Sequence, residues 1–148
     1  MLGKSKVLGG LIALAVVAGS AIAAPAEESS LEVVIKDVRS DQGSLRIALW
    51  SDPKGFTETD AILLESSAPA SSGEKAILFK DIEPGLYALI AYHDENGNGE
   101  FDKTFIGLPA EGLGFSNGAW IRAFGPPSFE EAAIEVKGPT NTTIGLRY

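Results

Sequence analysis

The 148-residue chain has no cysteine and a single histidine. Without cysteine there is no disulfide, no thiolate set for zinc, and no attachment point for a lipid just after a leader. With His93 as the sole imidazole, a histidine zinc centre lacks a second ligand of its kind. Basic residues are also scarce, 12 Lys and Arg against 20 Asp and Glu, for a net charge of −8. They form no stripe, and such a surface repels phosphate backbones, which argues against nucleic-acid binding. Beyond residue 23 no window of a dozen residues shows a convincing 3.6-residue apolar period, so no long amphipathic helix is expected.

Lys4 and Lys6 precede an uncharged apolar run from Val7 to Ala18, followed by Ala21-Ile22-Ala23. This is the layout of a secretory signal, with cleavage expected between Ala23 and Ala24. The apolar run is shorter than the roughly 20 residues of a membrane-spanning helix. The chain therefore reads as an exported protein, periplasmic or secreted, with no membrane span after cleavage. Residues 1–23 are the signal, 24–30 a flexible lead, and 31–148 one domain. Losing Lys4 and Lys6 leaves 10 basic residues against 20 acidic ones, a net charge of −10. A domain of this length buries roughly two-thirds of its unfolded surface without cross-links.

Strand signals then recur. Leu31, Val33 and Ile35 alternate with Glu32, Val34 and Lys36, and Leu45, Ile47 and Leu49 alternate with Ser44, Arg46 and Ala48. Successive side chains of a strand point to opposite faces, so period two marks a half-buried strand. Asp41-Gln42-Gly43 between these runs reads as a hairpin turn. Ala61 to Ser66 is a weak strand, Ser66 to Gly73 an exposed mobile loop, and Ala76 to Ile82 another strand. Pro84-Gly85 fits a type II turn with Gly at the position of positive φ. Leu86 to Tyr92 is apolar on both parities, which predicts burial on both faces. Thr104 to Leu108, Ala132 to Val136 and Thr142 to Tyr148 complete seven to eight short strands. The fold class is all-β, a single antiparallel β-sandwich. Tyr87 just after the turn has the position of a tyrosine corner, its hydroxyl bonding back to the upstream backbone.

Asp94-Glu95-Asn96-Gly97-Asn98-Gly99-Glu100-Phe101-Asp102 fits D-x-N-x-N-G-x-x-D. Alternating oxygen ligands, a Gly for the bend and a closing acid are how a loop wraps a hard cation. The candidate Ca²⁺ ligands are the side chains of Asp94, Asn96, Asn98 and Asp102 and the carbonyl of Glu100. The twelfth position is Phe105 in place of a bidentate Glu, so affinity is expected near 10⁻⁴ to 10⁻³ M. The alternative is a metal-free loop closed by Asn and Asp side chains.

Gly114-Phe115-Ser116-Asn117-Gly118 matches G-x-S-x-G, but the only His precedes Ser116 and no helix is expected after it. A hydrolase is not supported, and no other nucleophile–base pair or phosphate loop is present, so the chain reads as non-enzymatic. His93 reads as a structural hydrogen-bonding residue at the base of the acidic loop. The stretch Gly107 to Phe129 is irregular, and its aromatics either plug the sandwich or stack on a carbohydrate or peptide ligand. Phe115, Ser116, Asn117 and Trp120 are the candidates for such contact.

Several of these segments together resemble a known family. They are Pro84-Gly85-x-Tyr87-Ala88, then His93-Asp94-Glu95-Asn96-x-Asn98-Gly99-x-x-Asp102, then Gly107-x-Pro109-x-Glu111-Gly112-x-Gly114-Phe115-Ser116-Asn117, and finally Phe124-Gly125-Pro126-Pro127-x-Phe129. In order and spacing they are similar to the bacterial exported domains of unknown function, number 2141. The resemblance implies an exported β-sandwich of transthyretin-like or immunoglobulin-like type and carries no activity with it.

Overall fold

The computed structural model describes residues 29–148; the signal segment, its cleavage point and most of the lead lie outside the described residues. Eight strands form two sheets: β1 (Ser30–Val38), β2 (Ser44–Trp50), β3 (Leu64–Pro69), β4 (Gly73–Phe79), β5 (Gly85–Asp94), β6 (Gly112–Phe115), β7 (Ile134–Val136) and β8 (Pro139–Gly145). One sheet has the order β4-β1-β8. The other has the order β3-β2-β5-β6, with β7 on the opposite half of the same β5 edge.

The alternating apolar residues face one another between the sheets. Leu31, Val33 and Ile35 of β1, Ile77 and Phe79 of β4, and Ile144 of β8 meet Leu45, Ile47 and Leu49 of β2 and Leu89 of β5. Each such side chain, moved from water into this layer, contributes about 1.5–3 kcal/mol. The second sheet is also covered on its outer face. Ala88 of β5, Trp50 of β2 and Phe115 of β6 pack there against Phe56, Phe129 and Ala132 from the connecting segments. This third layer is why Ala88 to Tyr92 lacks a polar parity; Leu86, expected to be buried with them, lies beyond it and is exposed. Its helical turn α1 (Phe129–Ala132) starts at a capping box in which Ser128 and Glu131 satisfy each other's backbone amides.

Several expectations need correction. Asp41-Gln42-Gly43 is a crossover between sheets, because β1 pairs β4 and β8 while β2 pairs β3 and β5. Pairing is not wholly antiparallel, since β1 and β8 run parallel in register from Ser30↔Pro139 to Lys36↔Gly145. The weak strand lies later, at Leu64–Pro69, and occupies the first half of the stretch read as a mobile loop, because β2 offers it a backbone edge. Thr104 to Leu108 is a turn closed by the Lys103↔Pro109 bridge, with Phe105, Ile106 and Leu108 exposed. Of Ala132 to Val136, only Ile134–Val136 is strand. In the lead, Ser29 is buried and its carbonyl accepts from Ile82 N–H at 3.2 Å. Gly85 does not take positive φ; Asp81, at φ 53°, makes the left-handed bend instead.

The stretch Gly107 to Phe129 also contains a strand that its glycines concealed. Gly114 in β6 is required by packing, since a Cβ there would meet the Gly145 carbonyl oxygen and Ile144 Cγ2 at 2.5 Å. The tyrosine corner is present: Tyr87 O–H donates to the Glu83 carbonyl at 2.6 Å. Tyr87→Phe keeps the buried ring and deletes this bond. We expect a loss of about 1 kcal/mol, read as a fall of about 4 °C in the thermal midpoint.

Candidate functional site

At its far end β5 delivers two adjacent side chains to opposite faces. His93 points into the sandwich and Asp94 to the outer face, and both are fully buried. His93 Nε2 lies 2.7 Å from the Gln42 carbonyl, which only accepts, so Nε2 carries the proton. Nδ1 then accepts from Tyr148 O–H at 2.7 Å, and the same hydroxyl accepts from Arg39 N–H at 3.1 Å. The lone histidine thus ties the β1–β2 crossover and the C-terminal residue to the base of the loop, the structural role expected of it.

Asp94 is the organiser of the loop. Its Oδ2 accepts from Arg46 Nε at 3.0 Å and from Gly99 N–H at 2.9 Å, and its Oδ1 accepts from Asn98 N–H at 3.1 Å. Register explains Arg46: it lies opposite Tyr92 while Ser44 lies opposite Asp94, so Arg46 and Asp94 are diagonal neighbours on one face. Burial pushes the Asp94 carboxyl up, but the Gly99 amide, the Arg46 side chain and the Gly97 amide outweigh it and hold it below its ordinary value.

The other predicted ligands converge on the same turn. Asn96 Oδ1 accepts from Asn98 N–H at 3.0 Å, and Asn98 Oδ1 accepts from Glu100 N–H at 2.9 Å. The two side-chain amides donate to Asp102 Oδ2 at 2.6 and 3.0 Å. The loop therefore closes on protein donors alone. Among the described residues, no three His, Asp or Glu side chains converge tightly enough to make a ready-formed metal centre. Glu100 has an exposed side chain, and Phe105 is wholly exposed.

Two neighbours of this loop were not anticipated as site residues. Arg46 is one; its signal is a charged residue within an otherwise apolar alternation. Glu111 is the other, an acid set among apolar and glycine residues just before β6. It is 6% exposed, and its Oε2 accepts from Asp102 N–H at 3.1 Å. Burial pushes the Glu111 carboxyl up. The Asp102 amide and, less strongly, the Glu95 amide oppose this, and the charges of Asp102 and Asp94 add to it.

The residues proposed for ligand contact in the Gly107 to Phe129 stretch are mostly taken up by the fold. Ser116 is buried; its hydroxyl accepts from Leu89 N–H at 2.9 Å and donates to the Ala132 carbonyl at 2.5 Å. It is a clip between β5 and α1, with no imidazole beside it. Asn117, at φ 56°, donates to the Glu131 carbonyl at 3.0 Å. Phe115 is buried, and Trp120 is half-buried against it with the Arg147 guanidinium 4.4 Å from its ring centre.

A cleft of about 1030 Å³ lies between the outer face of the second sheet and the covering segments. Arg46, Trp50, Ile90, Tyr92 and Ile121 line it, and Gly99, Glu100 and Phe101 place the acidic loop in its wall. The Tyr92 and Phe101 rings meet edge to face, 5.4 Å between centres. No helix of the described residues is long and apolar enough to cross a membrane.

These features define a two-sheet β-sandwich with an Asp/Asn loop at one end of its central strand. The family model described as "Uncharacterized protein conserved in bacteria (DUF2141)" matches residues 33–144, and the chain belongs to that family. Searches of curated proteins and of solved structures returned no match.

Within the loop, Glu95 is gripped by Arg39, whose Nε lies 3.0 Å from both carboxylate oxygens, and by Ser40 O–H at 2.8 Å. The Arg39 hydrogen bonds lead in lowering the Glu95 pKa, burial opposes them, and the outcome is about 2. A carboxyl whose folded pKa is depressed adds stability above its unfolded value, lost as pH falls through the folded one. Acid unfolding curves of the protein and Glu95→Gln should therefore differ most above pH 4.5 and converge as pH falls towards 2. A constant gap across that range would deny Glu95 this role.

Proposed function

We propose that the protein is an exported, non-enzymatic binding module, periplasmic or secreted, whose Asp94–Asp102 loop takes Ca²⁺. The supporting observation is that β5 and one tight turn gather the oxygen-bearing side chains of Asp94, Asn96, Asn98 and Asp102. The Glu100 carbonyl is the backbone ligand in this reading. Bound Ca²⁺ stiffens the wall of the cleft without performing chemistry.

Asp102→Asn is the informative variant, because Asp94→Ala would also strip the partners from Arg46 and two loop amides. A site with a millimolar dissociation constant adds about 1 kcal/mol at several millimolar Ca²⁺. Thermal melts should rise by several degrees between EDTA and Ca²⁺ for the unaltered protein and stay fixed for Asp102→Asn. Identical melts with and without Ca²⁺ for the unaltered protein would leave the loop as a metal-free turn.

The cleft supports a second reading, in which it takes a carbohydrate or peptide ligand. Trp50 lines it, while Trp120 stands apart against Arg147. Tryptophan quenching by an oligosaccharide and short-peptide panel should then persist in Trp120→Phe. Quenching lost with Trp120 would move the contact to the irregular loop, and no quenching in either protein would remove this reading.

A further inference from the structure

The acidic loop lacks the bidentate acid that normally anchors Ca²⁺, since Phe105 stands at the twelfth position. The fold brings an acid to the loop from elsewhere. Glu111 enters β6, which pairs with β5 from His93↔Gly112 onward, and this pairing sets the residue before Gly112 beside the end of β5. One oxygen of Glu111 bonds the backbone amide of Asp102, the closing residue of the loop. The other, Oε1, is buried and makes no hydrogen bond, although the Glu95 backbone amide lies near the carboxyl group. A buried carboxylate oxygen without a hydrogen bond is costly, and this one is open to a ligand.

Charge points to the nature of that partner. Asp94 is matched by Arg46, and Glu95 by Arg39. Among the described residues, neither Asp102 nor Glu111 forms an ion pair with any Lys, Arg or His. Two neighbouring carboxylates, one of them deeply buried, thus stand without compensating charge, and a single divalent cation supplies it. Hard oxygen donors of this kind suit Ca²⁺.

We propose that Glu111 is a ligand of the loop cation, the anchoring carboxylate that the loop's own sequence omits. This rests on the calcium reading above and adds to it a residue outside the motif. In the structure Asp94, Asp102 and Glu111 do not converge on a single point, and the Asn96 and Asn98 amide groups occupy Asp102. Binding turns those amides away from Asp102 and uses the unpartnered Glu111 oxygen.

The test is titration of the protein and of Glu111→Gln with Ca²⁺ alone, followed by calorimetry. Gln keeps an acceptor for the Asp102 amide and removes the charge. The expected result is at least a tenfold weaker association for the variant, with both proteins folded in EDTA. Equal affinities would overturn the role of Glu111 and leave the calcium reading standing. Absence of Ca²⁺ binding to the unaltered protein would overturn both. A second measurement covers the case in which Glu111→Gln does not fold. The Glu111 side-chain carboxyl ¹³C resonance of the unaltered protein should shift on adding Ca²⁺ together with that of Asp102. Movement at Asp102 with none at Glu111 would overturn the proposal.

Discussion

From Tyr87 onward strand β5 is covered on both faces, with only Ile90 and Tyr92 partly open to the cleft, and the rest of the molecule is arranged around that constraint. Its odd-numbered residues Tyr87, Leu89 and Ala91 join the layer between the sheets. Its even-numbered residues from Ala88 onward need a second cover, which the segments after β2 and β6 and the helical turn α1 provide. A strand buried on both faces must also satisfy every polar group at its ends. At the entrance Tyr87 reaches back to Glu83. At the exit Asp94 and His93 are sealed by partners on opposite faces, Arg46 and the loop amides on one, and Gln42 and Tyr148 on the other.

The same constraint places the acidic loop. A carboxylate at the last position of a doubly covered strand survives burial only if several donors surround it. The turn from Glu95 to Glu100 supplies them from its own backbone. Asp94 orders the turn on protein donors alone, while Asp102 and Glu111 make no ion pair among the described residues. In the calcium reading proposed above, Asp94 keeps this structural role, and the charge still open to a cation lies on Asp102 and Glu111.

Much of this was legible in the chain. The apolar parities of β1, β2 and β5, the Tyr87 corner, the structural His93 and the gathering of the Asp/Asn side chains each follow from local spacing. Strand β6 was not legible, because Gly112 and Gly114 remove the side chains that make a pattern. Their purpose is visible only once Tyr148 and the β8 backbone are found against them. Arg46 and Glu111 were equally silent, since a single charge in an apolar stretch does not name its partner. Ser116, Asn117 and Phe115 carried a motif suggestive of chemistry, and the fold spends them on backbone hydrogen bonds and packing.

The sequence alone determined which residues of β1 and β2 face inwards, that the domain is all-β, and where a turn rich in Asp and Asn side chains lies. These depend on the two-residue period of strands and on the conformations that Asn, Asp and Gly allow, which are properties of neighbours along the chain. The tertiary structure alone decided that β1 and β2 part into different sheets, that β1 and β8 run parallel, and that Glu111 abuts Asp102. Those outcomes join residues far apart in sequence. Their choice rests on which backbone edges and buried charges remain to be satisfied once the chain has packed, and no local pattern carries that information.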